Sequence, residues 1–575
     1  MAGPQGRPPV ELPDVRRVLQ WRGLSAGLAE ATTRGVPIVC LAEHSWSNGA
    51  QRLALVLGQE DDTRELLESS FVPILLDPEE RPDLAARLRW ASSVLTGTSG
   101  PPLLALLTPH GEPFLTYCSL HPEGQGPYPS LRSLLRSIAQ LASERRAAIE
   151  EEAKRLQERS RPPSNGDAAT PLSGSRWEAL LTAVDERFGG LRELPKHPRA
   201  PLLWQLLEEA GRAPVGAHLL RTLEGMQRGG VCDQLEVSFH RCSRDERWVV
   251  PHFEKLAPQN AALAAVYARA GQQFERPDFS ETARTAAAFA IAGLDEGVMA
   301  IASDTAYYTW TPQAFQAALD PAQVQALGLH FNITRDDSAH TLFRALEPDA
   351  MVEFADEPVE VLRERVRQGR ALLRLVRSQR PPPAQQRIEA PSWHAETLRW
   401  LFEAARYLPQ IDAGRLEPHL EGLLAGPFDA ELGYARSGEY WLQDQAAIAA
   451  ACLAAAHTLP AARQSAERLA TIILGAYRSE ASGPLTDTPR GAHPSQDVVD
   501  HALGAAVPSV IDTLRSLAAR LGDGDGGGDD RHGNGGGSGR AGGGERFAAA
   551  AERLEHCHAA AMLAAQPTEA APAVG

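Results

Sequence analysis

Residues 225–255 read Gly-Met-Gln-Arg-Gly-Gly-Val-Cys-Asp-Gln-Leu-Glu-Val-Ser-Phe-His-Arg-Cys-Ser-Arg-Asp-Glu-Arg-Trp-Val-Val-Pro-His-Phe-Glu-Lys. Here Asp233, His240, Arg241, Asp245, Arg247, His252 and Glu254 are interleaved with Phe239, Trp248 and Phe253. A plain surface loop has no use for the aromatics, and a plain core does not tolerate the charges unless they are paired. Gly229 and Gly230 mark a turn that needs either a positive φ or a close approach of backbones. Two readings fit this mixture. One is a pocket floor, apolar with a few convergent polar groups. The other is a buried ion-pair network that fixes a crossing of helices, since such networks look like sites.

Working outward, the flanking sequence from 177 onward reads as almost all helix. Examples are residues 200–209, 217–226, 259–270, 395–405 and 445–456. Their alanine-rich faces favour close helix pairing. Periodicity alone allows either a toroid of helical hairpins or a helical-repeat solenoid.

Toward the N-terminus the pattern changes. Residues 1–13 are rich in Pro and Gly and are expected to be disordered. A helix is predicted over about 14–34, a buried strand at Val36–Ala42, a helix starting near Ser47 and another ending at 67–70. A second strand follows at Phe71–Leu76. A hairpin begins at Leu103, with its turn at Pro109-His-Gly-Glu. One long helix is predicted over 131–158. This alternation of helix and strand predicts a small α/β domain. Residues 159–176 have linker composition, and 521–545 are a Gly- and Asp-rich insert without the regular spacing of calcium-binding repeats. A terminal helix is expected at about 546–566, with 567–575 disordered.

Bulk properties narrow the function. A chain of 575 residues calls for more than one core. Its net charge of −16, from 57 basic and 73 acidic side chains, disfavours nucleic acid and anionic membrane surfaces as partners. No apolar run is long enough to span a bilayer, and the first residues lack an apolar signal core. The six cysteines are scattered without a Cys-x-x-Cys, which suits a reduced, cytoplasmic protein without a zinc site. No cofactor or metal is expected.

Residues 37–83, with strand, turn, helix, strand and Asp77-Pro-Glu-Glu-Arg-Pro-Asp, resemble a thioredoxin-like module. The resemblance is to the spermatogenesis-associated protein 20 family, which joins such a domain to a helical barrel. In that family the turn after the first strand carries Cys-His-Trp-Cys-His. Counted from Pro37, its two cysteine positions fall on Ser47 and Ala50. Disulfide exchange needs one thiolate to attack and a second thiol to resolve, so neither residue supports it. The family's loop resembling a thioredoxin cis-proline loop appears as Gly100-Pro-Pro-Leu, which makes Pro102 a candidate cis proline.

Phe188-Gly-Gly-Leu-Arg-Glu-Leu-Pro-Lys-His-Pro and residues 224–255 also resemble that family's signatures. The resemblance implies a multidomain chain: a thioredoxin-like domain over 14–158, then an (α/α)6 six-hairpin barrel over 177–520, similar to N-acylglucosamine 2-epimerases and six-hairpin glycosidases. Several polar segments depart from the family pattern, including Glu236-Val-Ser ahead of Phe239 and Trp441-Leu-Gln-Asp444.

If chemistry survives in the cleft, the resemblance points to acid–base work on a small carbohydrate-like ligand. The candidates are His252, His240, Glu254 and Asp233. Arg241 and Arg247 would hold an anionic group. Trp248, Trp310 and Trp441 would stack on a ring, with Asp304 and Asp444 as polar contacts; packing is the commoner fate of a tryptophan. The expected function is a non-redox binding or regulatory role, with a sugar epimerase or hydrolase as the alternative.

Overall fold

Strand β1 (Ile38–Ala42) is buried at every position. An apolar run of this kind belongs in the centre of a sheet covered on both faces. The structure is a computed structural model that describes residues 19–44, 47, 61–78, 81–96, 103–118, 130–159, 183–302, 304–333, 338–355, 357–477 and 547–548. Around β1 it places helix α1 (Leu24–Arg34), α2 (Asp61–Ser70), β2 (Val72–Leu76), α3 (Pro82–Thr96), β3 (Leu103–Leu107), β4 (Pro113–Cys118), α4 (Leu131–Glu144) and α5 (Arg146–Arg159). The sheet order is β2-β1-β3-β4. β1 runs parallel to β2, with Ile38 opposite Val72, and antiparallel to β3, with Cys40 opposite Ala105.

Period-2 alternation sends the side chains of β1 into two cores. Val39 and Leu41 join Leu67, Phe71, Leu104, Leu106, Leu131 and Leu135 on one face. Ile38, Cys40 and Ala42 join Ala31, Val72, Ile74, Ala85 and Leu88 on the other. The mixed α/β character expected of this region is what the structure shows.

Two predicted helices come out differently. Residues 14–18 of the first lie outside the described residues; from 19 onward the helix begins at Leu24, because Arg22 bridges to Ile74 and Gly23 precedes the first turn in extended backbone. The second is broken at Arg145 (φ −137°, ψ 44°) into α4 and α5. A straight helix would carry Ile149 about 16 Å along its axis beyond Ile138. The break returns Ile149 and Ala153 to the core that holds Ile138. The predicted helix after Ser47, Ala50 and Pro102 lie outside the described residues, as does most of the predicted C-terminal helix.

The helical region continues with α6 (Ala200–Leu206), α7 (Ala213–Arg228), β5 (His240–Ser243), β6 (Pro251–Leu256), α8 (Ala257–Gln273), α9 (Pro277–Glu296) and β7 (Val298–Ile301). Then come α10 (Pro321–Phe331), α11 (Pro348–Ala355), α12 (Val359–Ser378), β8 (Gln385–Arg387), α13 (Pro391–Ala405) and α14 (Ala413–Leu424). Helix α8 packs on α9 and α13, and its Ala261, Ala264, Ala265 and Ala270 are fully buried. The region is largely helical, but the opening stretch is not. Residues 240–256 form an antiparallel hairpin in a four-stranded sheet of order β8-β7-β6-β5. The alternation Phe239-His-Arg-Cys-Ser against Pro251-His-Phe-Glu-Lys is a strand pattern.

Gly229 and Gly230 are there for close approach. Gly229 has φ −70°, and a Cβ on it would meet the Trp248 carbonyl oxygen at 2.5 Å. A Cβ on Gly230 would meet that of Val249 at 2.1 Å.

Residues 428–477 add three short strands, β9 (Phe428–Asp429), β10 (Gly433–Arg436) and β11 (Glu439–Tyr440), and helices α15 (Leu442–Ala455) and α16 (Ala462–Ala476). By contacts the chain divides into two compact units. One comprises 1–171, 426–453 and 461–575; the other comprises 172–425 and 454–460. Among the described residues no helix is long and apolar enough to cross a membrane.

Candidate functional site

The β5–β6 hairpin sorts its polar side chains onto two faces. Neighbours along a strand point to opposite sides, so Lys255 and Phe253 part company with His252 and Glu254.

On the first face, Lys255 is 1% exposed and its Nζ lies 2.7 Å from Asp233 Oδ2. Arg377, near the end of α12, brings Nη1 to 2.8 Å from Asp233 Oδ1. Asp233 also accepts from the Leu235 backbone N–H, which ties the carboxylate to the turn after it. Glu236 completes the set, 3.1 Å from Arg377 and 3.8 Å from Lys255. Burial alone would raise the Asp233 pKa, but the two cations hold it well below the usual carboxylate range. Both cations also lie over the ring of Tyr308.

His240 sits against this network. Its Nδ1 is 3.1 Å from the Phe253 carbonyl oxygen, and its ring meets Phe253 and Tyr308 edge-on. Burial, and then the charge of Lys255, push its pKa down to about 3. It is therefore a neutral core imidazole at physiological pH.

On the second face, Glu254 is fully buried and Arg241 Nε stands 3.5 Å from its Oε2. His252 is held below its usual pKa, first by burial, against the raising charge of Glu254 and the lowering charges of Arg241 and Arg244. His197 is pushed down to about 4 by burial and then by Arg241. Next to it Arg199 and Glu193 form a two-pronged pair, with Nε to Oε1 at 2.7 Å. This face gathers two imidazoles, a buried carboxylate and a guanidinium, the groups that proton transfer and anion holding require.

Other candidates have structural surroundings. Trp248 is fully buried with φ +66°, donates Nε1–H to the Phe188 carbonyl at 2.9 Å and lies under Lys196. Trp310 is fully buried beneath Arg380, and Trp441 is 2% exposed. The rings of all three are packed by protein, leaving none open for stacking on a ligand in this structure. Asp304 caps a short helix by accepting from the Tyr307 N–H at 3.0 Å. Arg247 is exposed, and its backbone N–H donates to Asp245. Asp444 is buried 3.4 Å from Arg436; it and Trp441 belong to the unit that contains the N-terminal sheet.

Sequence reasoning missed Lys196, His197 and Arg377. Lys196 pairs with Asp185 at 2.5 Å and is 1% exposed. Its signal was present in Pro195-Lys-His-Pro, a polar pair locked between prolines. Arg377 gave no signal, being one of several arginines on α12. Among the described residues no group of three His, Cys, Asp or Glu is placed to hold a metal ion.

Ser47 is 3% exposed and its N–H donates to the His44 carbonyl. His44 Nδ1 lies 4.0 Å from Asp77 Oδ1. Cys40, in the middle of β1, has its thiol pKa pushed up to about 12 by burial. Cys232 and Cys452 rise to about 12 and Cys242 to about 11 for the same reason.

A thioredoxin-like sheet followed by a largely helical region defines the class of protein. Residues 15–160 match the family model Thioredox_DsbH, described as a protein of unknown function, DUF255. The human spermatogenesis-associated protein 20 is 28% identical over 297 residues, 45% of this chain and 37% of that protein. Its rat counterpart is 29% identical over 247 residues, 39% of this chain and 30% of that protein. The chain is thus similar to the spermatogenesis-associated protein 20 proteins, and the family model covers its residues 15–160. Its matched part spans about a third of the length of these curated relatives.

Proposed function

We propose that this is a non-redox protein, in which the thioredoxin-like domain serves as a binding or docking module and the chain has a regulatory role. The observation that carries this reading is the state of its sulfur. The family turn offers Ser47 where the resemblance puts the first cysteine, and the four cysteines whose surroundings are described are all buried. A thiol with a pKa near 12 is not a thiolate at neutral pH, and the thiolate is the species that attacks a disulfide. The same reading takes the helical region as a six-hairpin barrel with its cleft at the face bearing His252 and Glu254. Support comes from the helix pairs packed on α8 and from the polar hairpin between α7 and α8.

The test is reduction of insulin by dithiothreitol with and without the protein. The expected result is precipitation at the uncatalysed rate. Acceleration that scales with protein concentration overturns the proposal.

A further inference from the structure

Helix α12 carries Arg367, Arg370 and Arg374 at a spacing of three and then four residues, which places them along one face. Together with Leu235, Glu236, Ala371, Leu375 and Ser378 they line an open groove of about 560 Å³. That volume suits a small ligand. Gly369, on the neighbouring face, lets α12 approach Leu327 of α10, where a Cβ would come within 2.7 Å.

The charges in this groove do not balance. Arg367 is paired with Glu364. Glu236 is committed to Arg377 and Lys255, which also share Asp233. Among the described residues, no carboxylate lies within ion-pair distance of Arg370 or Arg374. Arg370 is half-buried and donates to the Gln234 carbonyl. Arg344 faces it with like charge, and burial together with that charge lowers its pKa. Arg374 is exposed, with no ion pair or hydrogen bond among the described residues.

Two guanidiniums without a direct ion-pair partner among the described residues therefore sit beside apolar walls formed by Leu235, Ala371 and Leu375, the last 58% exposed; the nearby charges of Asp233 and Glu347 act on Arg370 only at longer range. Forked donors of this kind suit a planar or tetrahedral oxyanion. A single carboxylate would leave one cation unmatched, whereas a phosphate monoester supplies two charges. We propose that this groove binds a ligand carrying a dianionic phosphate on an apolar body, held by Arg370 and Arg374. The inference goes beyond the non-redox reading and does not depend on it.

Isothermal titration calorimetry of the full chain with hexyl phosphate, inorganic phosphate and hexanoate tests it. Hexyl phosphate is expected to bind saturably, more tightly than either of the others. Arg374→Gln is expected to weaken it about ten-fold, the order of one charge-assisted hydrogen bond. Arg374 has no partner to lose among the described residues, so this variant keeps the fold, which circular dichroism checks. Ala371→Trp fills the groove and is expected to abolish binding. Absence of saturable binding to the native chain, unchanged affinity in Arg374→Gln, or hexanoate binding as tightly as hexyl phosphate overturns the proposal.

Discussion

On one face of the β5–β6 hairpin, Lys255 and Arg377 close on Asp233 at 2.7 and 2.8 Å, and all three side chains are almost completely buried. On the other face Arg241 stands 3.5 Å from Glu254 and is 16% exposed, with His252 and His197 partly open beside it. The same short strands thus carry two electrostatic regimes. In the sealed network the attraction between close opposite charges offsets the cost of removing them from water, and the arrangement fixes where α12 meets the hairpin. In the half-open cluster the contacts are longer and the histidines are near enough to solvent to exchange protons. Burial and short pairing mark the first face as structural; partial exposure with several titratable groups makes the second the candidate site.

The sharpest way to break this comparison is to remove Asp233. Asp233→Ala leaves Lys255 and Arg377 buried with, among the described residues, only Glu236, itself 36% exposed, for a counter-charge. Removing one partner from a buried ion pair costs about 3–5 kcal/mol. Urea unfolding of the variant should show a loss of that size. A loss below about 1 kcal/mol, the range of exposed pairs, would show that the sealed network is not structural.

A smaller effect should come from acid. His240 is neutral in the fold with a pKa near 3, whereas an unfolded histidine titrates near 6.5. The unfolded chain takes up the proton first, so this histidine's contribution is complete above about pH 6.5. It is lost progressively as pH falls toward 3, at about 1.4 kcal/mol per pH unit. Its surroundings of Lys255, Asp233 and Arg377 have no carboxylate left over to receive an imidazolium. By pH 5 the loss from this group reaches about 2 kcal/mol. His240→Gln should flatten the stability profile between pH 7 and 5 by that amount. An unchanged slope would mean that other groups carry the acid sensitivity.

Much of this was legible in the letters. The all-apolar run at 36–42 and the turn at Pro109-His-Gly-Glu marked β1 and the β3–β4 hairpin correctly. The hairpin at 240–256 was not among the readings of its stretch, a pocket floor or a network at a crossing of helices, although its period-2 alternation separates Phe253 and Lys255 from His252 and Glu254. What the sequence concealed was distance. Asp233 meets Lys255 across 22 positions and Arg377 across 144. No local pattern shows which of the arginines on α12 turns inward. Nor does a pattern show that Trp248 is held at φ +66° among glycines and Lys196 rather than over a ligand.

The finest test of the comparison lies on the half-open face and reads protons rather than stability. Glu254 raises the pKa of His252 through its charge, while Arg241 lowers it. Arg241 also lowers His197, next in size after burial. Glu254→Gln keeps the shape and removes the negative charge. The His252 ring signals, followed by NMR titration, should then move at a lower pH than in the native chain. Arg241→Gln should move both His252 and His197 to a higher pH. Because His240 lies on the opposite face, it should not respond to either change. An unchanged or upward-shifted His252 in Glu254→Gln would mean that the Glu254 charge does not act on that ring, and the pairing drawn for this face would fail. A matching shift at His240 would mean that the two faces are electrostatically one, and the division drawn from their geometry would fail.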